Sequence, residues 1–317
     1  MDSTQLWTLT DGNAGNRRQA DALAAALTHG PVMDWVLEPQ APWSWCAPRA
    51  LPGASAAFGT SFSHALAQPP RLAIGCGRQG ALATRLLRQR GSTAVQILDP
   101  RIDPRHWDLV IAPEHDGLVG DNVITLVGSL NPVDTLWLAQ ARAAFASFAD
   151  LPRPRTAVLL GGPSAHARFD LAAFEALASQ LDAALAHEGG SVMVTTSRRT
   201  PTDVIAALRK RYVETPNVVW CGDADGINPY PGMLAWADRI VASPDSVNML
   251  SEACATDVPV FVFDPDRVSG RPRRFLDALL ARRRIRRMDT TLASFPVEPL
   301  RETARIAALV KQRLSLA

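Results

Sequence analysis

Short runs of apolar residues alternate along this chain with longer stretches in which apolar positions recur every three or four residues. The short runs predict buried β-strands, and the longer stretches predict amphipathic helices. The predicted strands cover residues 6–9, 32–36, 71–74, 94–98, 109–111, 123–126, 156–160, 192–195, 218–220, 239–241 and 260–263. Strands that alternate with helices at this spacing indicate parallel sheets covered by helices on both faces, so the expected fold class is α/β.

The strand–helix pattern restarts halfway along the chain. Pro152 and Pro154 lie in a short linker between a helical pattern and a new strand. We therefore predict a Rossmann-like N-terminal domain at residues 1–150 and a Rossmann-like C-terminal domain at residues 151–297. Residues 298–317 hold a last predicted helix. A chain of 317 residues is long enough for two doubly wound domains that each bury a core.

The segment SPDSVNMLSEAC, at residues 243–254, follows a predicted strand and opens a helix. Asp245 suits the N-cap position, and the first-turn amides behind it would be free to bind an anion. At helical spacing Asp245, Met249 and Glu252 share one face. A phosphate at the helix tip and ribose hydroxyls on Glu252 would suit a nucleotide. The alternative is an ordinary capped helix with a solvated Glu252.

Two further strand ends carry residues that suit a nucleotide. Glycines in LGGPS, at residues 160–164, let backbone amides approach a phosphate. In TTSRR, at residues 195–199, Arg198 or Arg199 could neutralise a diphosphate, although an ordinary surface role is the alternative for either. The predicted nucleotide-site residues are Gly161, Gly162, Ser164, Thr196, Ser197, Arg198, Ser243, Asp245, Ser246, Met249 and Glu252.

The turn TDGNAGN, at residues 10–16, joins the first predicted strand to the first helix. Asp11 is placed either to take a proton from a hydroxyl as a general base or to cap the turn. His115, in the loop after another strand of the first domain, is the alternative base. The neighbouring residues that could bind the hydroxyl-bearing molecule are Gly12, Gly15, Asn16 and Gln19.

Two short motifs support other functions. GCGRQG, at residues 75–80, matches the dinucleotide fingerprint and has Asp99 at roughly the right distance, which would suit an NAD(P)-dependent oxidoreductase. The motif follows a later strand, however, whereas the fingerprint usually opens the first βαβ unit. Asp223–Asp225 and the pair Asp264 and Asp266 are D-x-D strings of the kind that hold a divalent ion. Such strings are common in turns and metal sites need more oxygen ligands, so we predict no metal and no cofactor.

The chain resembles the Elongated Mitochondria family of predicted glycosyltransferases, which includes a plant mitochondrial-fission protein and many bacterial members. The resemblance runs over most of the chain. It is carried by WTLTDGNAGNRRQ at 7–19, VQILDP at 95–100, APEHD at 112–116, LGGPS at 160–164, TTSRRT at 195–200, DGINPY at 225–230 and SPDSVNMLSEAC at 243–254.

This resemblance implies a GT-B-like fold, in which two Rossmann-like domains face a central cleft. It also implies a glycosyltransferase whose C-terminal domain binds a nucleotide-sugar donor and whose N-terminal domain presents an unidentified acceptor, such as a cell-envelope glycan or a lipid-linked precursor. The last helix is expected to pack back on the N-terminal domain. The alternative is a non-catalytic adaptor or membrane-recruitment protein on the same fold.

Composition and cysteine content indicate which partners and which cellular compartment to expect. Hydrophobic residues make up 47% of the chain and charged residues 20%, and the net charge of +2 does not demand a nucleic-acid partner. The four cysteines lack metal-like spacing, and the chain reaches its first strand almost at once, so we expect a cytoplasmic protein.

Two surface segments could bring the protein to a membrane. The basic stretch that begins at Arg271 and ends at Arg287 is either a solvated helix face or a contact with an anionic membrane, which would make the protein peripheral on the inner face of the cytoplasmic membrane. Trp43 and Trp45 lie in a long connection of the first domain. They either contact a membrane or an acceptor, or pack back on the domain.

Overall fold

The computed structural model describes residues 6–212 and 217–316, so the outermost ends of the predicted domains lie outside the described residues. The chain forms two compact units. The first runs up to Pro132 and also includes the chain from Glu302 onward, and the second runs from Val133 to Arg301.

The N-terminal unit contains a six-stranded parallel sheet in the order β2-β1-β3-β4-β5-β6. Its strands are β1 (Leu6–Thr10), β2 (Val32–Val36), β3 (Leu72–Cys76), β4 (Thr93–Ile97), β5 (Leu109–Pro113) and β6 (Val123–Leu126). Its helices before Pro132 are α1 (Ala14–Leu27), α2 (Trp43–Cys46), α3 (Gly59–Ala65) and α4 (Gly77–Arg88). β1, β3 and β5 are buried along their whole length, because helices cover both faces of the sheet.

The C-terminal unit contains a second six-stranded parallel sheet, in the order β12-β11-β10-β7-β8-β9. Its strands are β7 (Arg155–Leu160), β8 (Ser191–Thr196), β9 (Val218–Trp220), β10 (Arg239–Ala242), β11 (Val260–Val262) and β12 (Ile285–Arg287). Its helices are α5 (Thr135–Ala144), α6 (Leu171–Glu188), α7 (Thr202–Arg211), α8 (Tyr230–Trp236), α9 (Val247–Cys254) and α10 (Gly270–Ala281). The predicted α/β class with two doubly wound domains is confirmed.

The last helix, α11 (Thr303–Leu314), belongs to the N-terminal unit. Ile306 and Val310 are fully buried in the same apolar cluster as Leu23 of α1. Glu302, just before the helix, accepts hydrogen bonds from the amides of Val127 at 2.8 Å and Gly128 at 3.2 Å. The apolar contacts hold the helix on the core beside α1, and the hydrogen bonds of Glu302 hold its start on the loop after β6.

The unit boundary differs from the predicted break after residue 150. Helix α5 lies with the C-terminal unit, where Arg142 donates to the carbonyl of Ala235 at 2.9 Å and the Trp236 indole donates to the carbonyl of Arg142 at 3.3 Å. Pro152 and Pro154 therefore mark the start of β7 rather than the start of the unit. At the other end, the C-terminal unit extends to Arg301 instead of residue 297.

The basic stretch at residues 271–287 contains a strand that the sequence pattern did not predict. Residues up to Ala281 form α10, but Ile285–Arg287 add β12 to the sheet edge beside β11. Only Ile285 of this strand is buried, so its hydrophobic pattern is too short to be recognised. Among the described helices, none is both long and apolar enough to cross a membrane.

Candidate functional site

The order in which successive strands are added to the C-terminal sheet reverses between β7 and β10, although all the strands are parallel. The chain leaves β7 toward β8 and β9 and then returns to place β10 on the other side of β7. In open parallel sheets, ligands bind beyond the carboxyl ends of the strands at such a reversal. The loops after β7, β8 and β10 meet there, and they hold most of the predicted nucleotide-site residues.

Asp245, in the loop after β10, joins these three loops. Its Oδ2 accepts hydrogen bonds from the Gly162 amide at 3.0 Å and from Arg199 Nη2 at 2.8 Å. Its Oδ1 accepts from the Ser243 hydroxyl at 2.6 Å, and Ser243 Oγ accepts from the Gly161 amide at 2.8 Å. The Asp245 side chain is completely buried, whereas that of Arg199 is 44% exposed. We call these five residues the Asp245 hub.

Close packing explains the two glycines of the hub. A Cβ on Gly161 would lie 2.1 Å from Asp245 Oδ2, and one on Gly162 would lie 2.1 Å from the carbonyl oxygen of Arg199. Both amides already donate inside the hub, so the prediction that they are open to a phosphate is wrong. The glycines instead let three strand ends approach closely.

The two arginines in the loop after β8 have different surroundings. Arg199 donates to the carbonyls of Gly162 at 3.0 Å and Pro163 at 3.2 Å as well as to Asp245, so it is committed to the hub. Arg198 is exposed and forms no ion pair within the part of the chain that the structure describes. Arg198 is therefore the arginine of this loop that can meet a ligand.

Thr200 belongs to the site although the sequence interpretation omitted it. Its Oγ1 donates to the Gly161 carbonyl at 2.5 Å and accepts from the Ser197 amide at 3.0 Å. The hydroxyl-bearing residues of TTSRRT, at residues 195–200, could have indicated that Thr200 takes part. Thr196 ends β8 as a buried residue, and the Ser197 amide donates to the Leu160 carbonyl at 2.9 Å.

Helix α9 begins one residue later than predicted. Its N-cap is Ser246, whose Oγ accepts from the Met249 amide at 3.4 Å. The prediction that Asp245 is the N-cap is wrong, because its carboxylate turns back toward the loop after β7. The cap binds the Met249 amide, whereas the amides before it in the first turn have no acceptor within the helix, as at any helix start. The tip of α9 therefore offers donors beside the hub.

Glu252 lies two turns along α9 and is only 3% exposed. A solvated surface glutamate, which was the alternative interpretation, is therefore wrong. Met249 is half-buried, and Ser164 is exposed, with its Oγ accepting from the His166 amide at 3.2 Å. The structure thus places the predicted nucleotide-site residues in the loops and helix around a single sheet edge.

In the N-terminal sheet the reversal lies between β1 and β3, and the Asp11 turn follows β1. Asp11 Oδ1 accepts from the Asn13 amide at 3.1 Å and from Asn16 Nδ2 at 2.9 Å. Asp11 Oδ2 accepts from Asn13 Nδ2 at 2.7 Å. Asp11 therefore holds the turn in place, which is the structural role weighed from the sequence.

The other predicted residues of this unit are unevenly placed. Asn16 contacts Asp11, Gly12 has φ of +75° in the same turn, and Gly15 lies in the first turn of α1. Gln19 is buried at 4% exposure. His115 follows β5, which is separated from β1 by β3 and β4. Three strand spacings amount to about 14 Å, so His115 does not form a pair with Asp11.

The dinucleotide-like motif at residues 75–80 has a packing role. A Cβ on Gly80 would lie 2.5 Å from the carbonyl oxygen of Leu9, so this glycine lets α4 approach β1. Arg78 donates to the carbonyls of Ala47 at 3.0 Å and Ser44 at 3.1 Å. These contacts explain the motif without a dinucleotide.

Arginines bind at least one carboxylate in each D-x-D string. Arg209 binds Asp225 through both carboxylate oxygens, and its hydrogen bond lowers the pKa of Asp225. Arg287 and Arg273 both contact Asp266, and their hydrogen bonds lower its pKa to about 2. Within the described residues, His, Cys, Asp and Glu side chains form no group of three or more that could hold a metal ion.

Comparison with known proteins identifies the relatives of this chain. The family model described as mitochondrial fission ELM1 matches residues 14–314. The mitochondrial fission protein ELM1 of Arabidopsis thaliana is 31% identical over 277 residues, which cover 78% of this chain and 64% of the plant protein. The chain thus spans less than two thirds of that relative. The uncharacterised protein RP120 of Rickettsia prowazekii is 24% identical and is covered over 99% of its length.

Solved structures with the same fold include enzymes of nucleotide-sugar chemistry. The UDP-GlcNAc 2-epimerase of Neisseria meningitidis, bound to UDP-GlcNAc, is 11% identical with a TM-score of 0.55, and the match covers 99% of this chain and all of the epimerase. MnaA of S. aureus, solved with UDP, is 12% identical with a TM-score of 0.54, over 99% of this chain and 98% of MnaA. Os79 from O. sativa is 12% identical with a TM-score of 0.54, and the match covers 98% of this chain and 91% of Os79. These likenesses show a shared fold, and the predicted GT-B-like architecture is confirmed.

Proposed function

The chain belongs to the mitochondrial fission ELM1 family, and we propose that it is a glycosyltransferase that takes a sugar from a nucleotide-sugar donor. One observation carries the proposal. The Asp245 hub fixes three loops at the reversal of the C-terminal sheet, which is where this class of fold binds ligands. Two structures with this fold are described as complexes with UDP or UDP-GlcNAc, and we assign the same class of ligand to this chain.

The donor diphosphate binds above the hub in this proposal. The first-turn amides of α9 and the helix dipole favour an anion, and Ser246 and Ser164 add hydroxyls. Arg198 supplies the unpaired positive charge. Glu252 binds the ribose hydroxyls, and Met249 lines the same face of the helix. The departing diphosphate is then stabilised by donors that are already in place.

The N-terminal unit supplies the acceptor contacts and the base. Asp11 accepts three hydrogen bonds, whereas a carboxylate has about four acceptor positions. We assign the remaining position, on Oδ2, to the acceptor hydroxyl, whose proton Asp11 takes as the hydroxyl oxygen attacks the anomeric carbon. Asn16 and Gln19, with the backbone at Gly12 and Gly15, would orient the acceptor. His115 is the alternative base, acting without Asp11.

Transfer is proposed to proceed without a metal ion or cofactor, since Arg198 and the α9 amides carry the diphosphate charge. The cytoplasm is the proposed location. The four cysteines, Cys46, Cys76, Cys221 and Cys254, are free thiols, as is usual in a reducing compartment.

A binding protein on the same fold is the second candidate. The observation that favours it is the use of Asp11 as the anchor of its own turn. Such a protein would keep the donor site and bind a ligand without turning it over.

A ligand screen tests both candidates. We would measure thermal shifts with UDP-, GDP-, CMP- and dTDP-linked sugars, beside NAD and NADP. The proposal expects stabilisation by at least one nucleotide-sugar, loss of that shift in Arg198→Ala, and retention in Lys210→Ala, which removes an exposed positive charge from the last turn of α7. Stabilisation by NAD or NADP alone would replace the proposal with an oxidoreductase. Binding without transfer to any glycan or lipid acceptor would favour the second candidate.

A further inference from the structure

Residues 39–98 contain no Asp or Glu, although 31 of the 317 residues of the chain are acidic. At that average frequency of about one in ten, several acidic residues would be expected in a stretch of 60. The same stretch contains six arginines: Arg49, Arg71, Arg78, Arg85, Arg88 and Arg90. It forms α2, α3, β3, α4 and β4. These elements therefore bring positive charge and no carboxylates of their own to the N-terminal unit.

The chain from α2 onward runs beside α4 in the same direction as the helix. Arg78, near the start of α4, donates to the carbonyl of Trp45 at 3.2 Å. Arg85, further along the helix, donates to the carbonyl of Pro48 at 2.6 Å. Leu51 and Arg90 then line one cavity of about 420 Å³ beyond the end of the helix. Trp45, Arg49, Leu51 and Arg90 thus follow one another beside α4, and we call them the α4 stripe.

The stripe presents apolar side chains to solvent. Trp45 is 76% exposed and Leu51 is 36% exposed. Trp43, by contrast, packs back, and its indole donates to the carbonyl of Pro52 at 3.2 Å. The two tryptophans therefore have different roles, and the hydrogen bonds from Trp43, Arg78 and Arg85 fix the segment that carries Trp45.

The charges of the stripe are not neutralised. Arg49 and Arg90, together with nearby Arg71, form no ion pair with any residue that the structure describes. Arg88 of α4, by contrast, is paired with Asp108 at 2.9 Å. Unpaired arginines therefore flank the exposed Trp45 and Leu51.

We propose that the α4 stripe docks the protein on an anionic phospholipid bilayer. Tryptophan suits the boundary between headgroups and acyl chains, and arginines beside it bind lipid phosphates. The cavity next to Leu51 has apolar walls that include Leu66 and Leu86 and could receive part of an acyl chain. A nucleic acid would match the charge but would leave Leu51 and this cavity without an apolar partner. The segment at residues 271–287 is a weaker candidate, because Arg273 and Arg287 are paired with Asp266 and Arg284 is buried.

Vesicle flotation tests the inference with the full chain. The probes are vesicles of phosphatidylcholine alone and vesicles with phosphatidylglycerol, and a duplex DNA serves as a polyanion without apolar surface. We expect binding to the phosphatidylglycerol vesicles that weakens with salt. Each arginine near an anionic surface contributes about fivefold, so Arg49→Ala with Arg90→Ala should weaken binding by about 25-fold. Trp45→Ala should weaken it by about tenfold at any salt concentration.

Matched controls separate the stripe from general charge. Arg101→Ala with Arg105→Ala removes two exposed arginines of the same unit, outside the stripe, and should leave vesicle binding within about twofold. Equal loss in both double variants would overturn the assignment to the stripe. Loss only on changing Arg283 and Arg286 would transfer the contact to residues 271–287. Binding to DNA without binding to vesicles, or no difference between the two vesicle types, would also overturn the proposal.

Discussion

Replacing Asp245 by Ala removes the common acceptor of three hydrogen bonds in a buried position. The Gly162 amide and the Ser243 hydroxyl would each lose their acceptor inside the protein, at a cost of about 1–3 kcal/mol per group. The Arg199 side chain is 44% exposed, so water can replace its lost partner. The loss of this ion pair should therefore cost about 0–1 kcal/mol, as for a solvated pair. We expect the free energy of unfolding to fall by about 2–7 kcal/mol.

Asp245→Asn separates the shape of the side chain from its charge. The Asn oxygen can face Gly162 and Arg199, while its amide donates to Ser243 Oγ. Only the Ser243 proton then loses its acceptor, and the two bonds to the oxygen become weaker. The expected loss is about 1–2 kcal/mol, which is smaller than that for Ala. This ranking follows from the hydrogen-bond directions in the hub.

Urea unfolding followed by tryptophan fluorescence measures both variants, with the midpoint compared at an unchanged slope. Asp266→Ala is the control, because it removes a carboxylate that also binds two arginines but lies on the surface. It should move the midpoint little. If Asp245→Ala unfolds at the same urea concentration as this control, the reasoning about the hub is refuted. Donor binding should also weaken in Asp245→Asn under conditions where it is folded, because Arg199 and the loop after β7 are less fixed.

Three single residues and the removal of metal ions give the remaining predictions. Asp11→Asn should lower turnover by about 10²–10⁴-fold at unchanged donor affinity, and near-normal turnover together with a loss in His115→Ala would move the base to His115. Glu252→Gln should weaken a proven donor by about 1–3 kcal/mol in calorimetry, and an unchanged affinity would remove Glu252 from the site. Transfer should survive EDTA; loss of activity that Mn²⁺ restores would contradict metal independence. Burial alone would raise the pKa of Asp238, but hydrogen bonds from the Arg155 amide and the Arg153 side chain outweigh it and lower that pKa. Ionised Asp238 therefore contributes its full stabilisation above the unfolded-state pKa of about 4, and this contribution is lost as the pH falls through the lower folded-state pKa. Asp238→Asn should flatten the acid limb of the profile of melting temperature against pH.

The sheets could be predicted because each central strand is a local signal. Runs such as Leu109–Pro113 are apolar at every position, since a parallel strand is buried on both faces. The edge strand β12 lacks this signal, because Arg286 and Arg287 are exposed and only Ile285 enters the core. The boundary between the two units also could not be predicted from the local sequence pattern. Whether α5 packs on one unit or the other depends on its contacts with α8, which lies about 90 residues later in the chain.

The candidate site shows the same limit more sharply. The sequence pattern indicated that residues near 161, 198 and 245 each follow a strand, and the structure places these strands side by side, so their carboxyl ends meet at one edge. It did not show what Asp245 does there. An aspartate before a helix is a common N-cap, yet here the Asp245 carboxylate binds the Gly162 amide and Arg199, and Ser246 is the N-cap instead. The competing partners lie 83 and 46 residues away, so no local rule could rank them.

The Asp245 hub also limits how an anion can bind at this edge. The buried Asp245 carboxylate already accepts from the Gly162 amide, and Ser243 Oγ accepts from the Gly161 amide. A phosphate placed at these amides would meet the negative charge of Asp245. The donors that remain are the start of α9, Ser164 and Arg198, which lie in the loops and helix held by the hub. In the proposed site, a phosphate would therefore bind on the helix side of Asp245. The glycines, Ser243, Arg199 and Thr200 build the support, and the less buried Arg198, Ser246 and Met249 provide the surface that a nucleotide would contact.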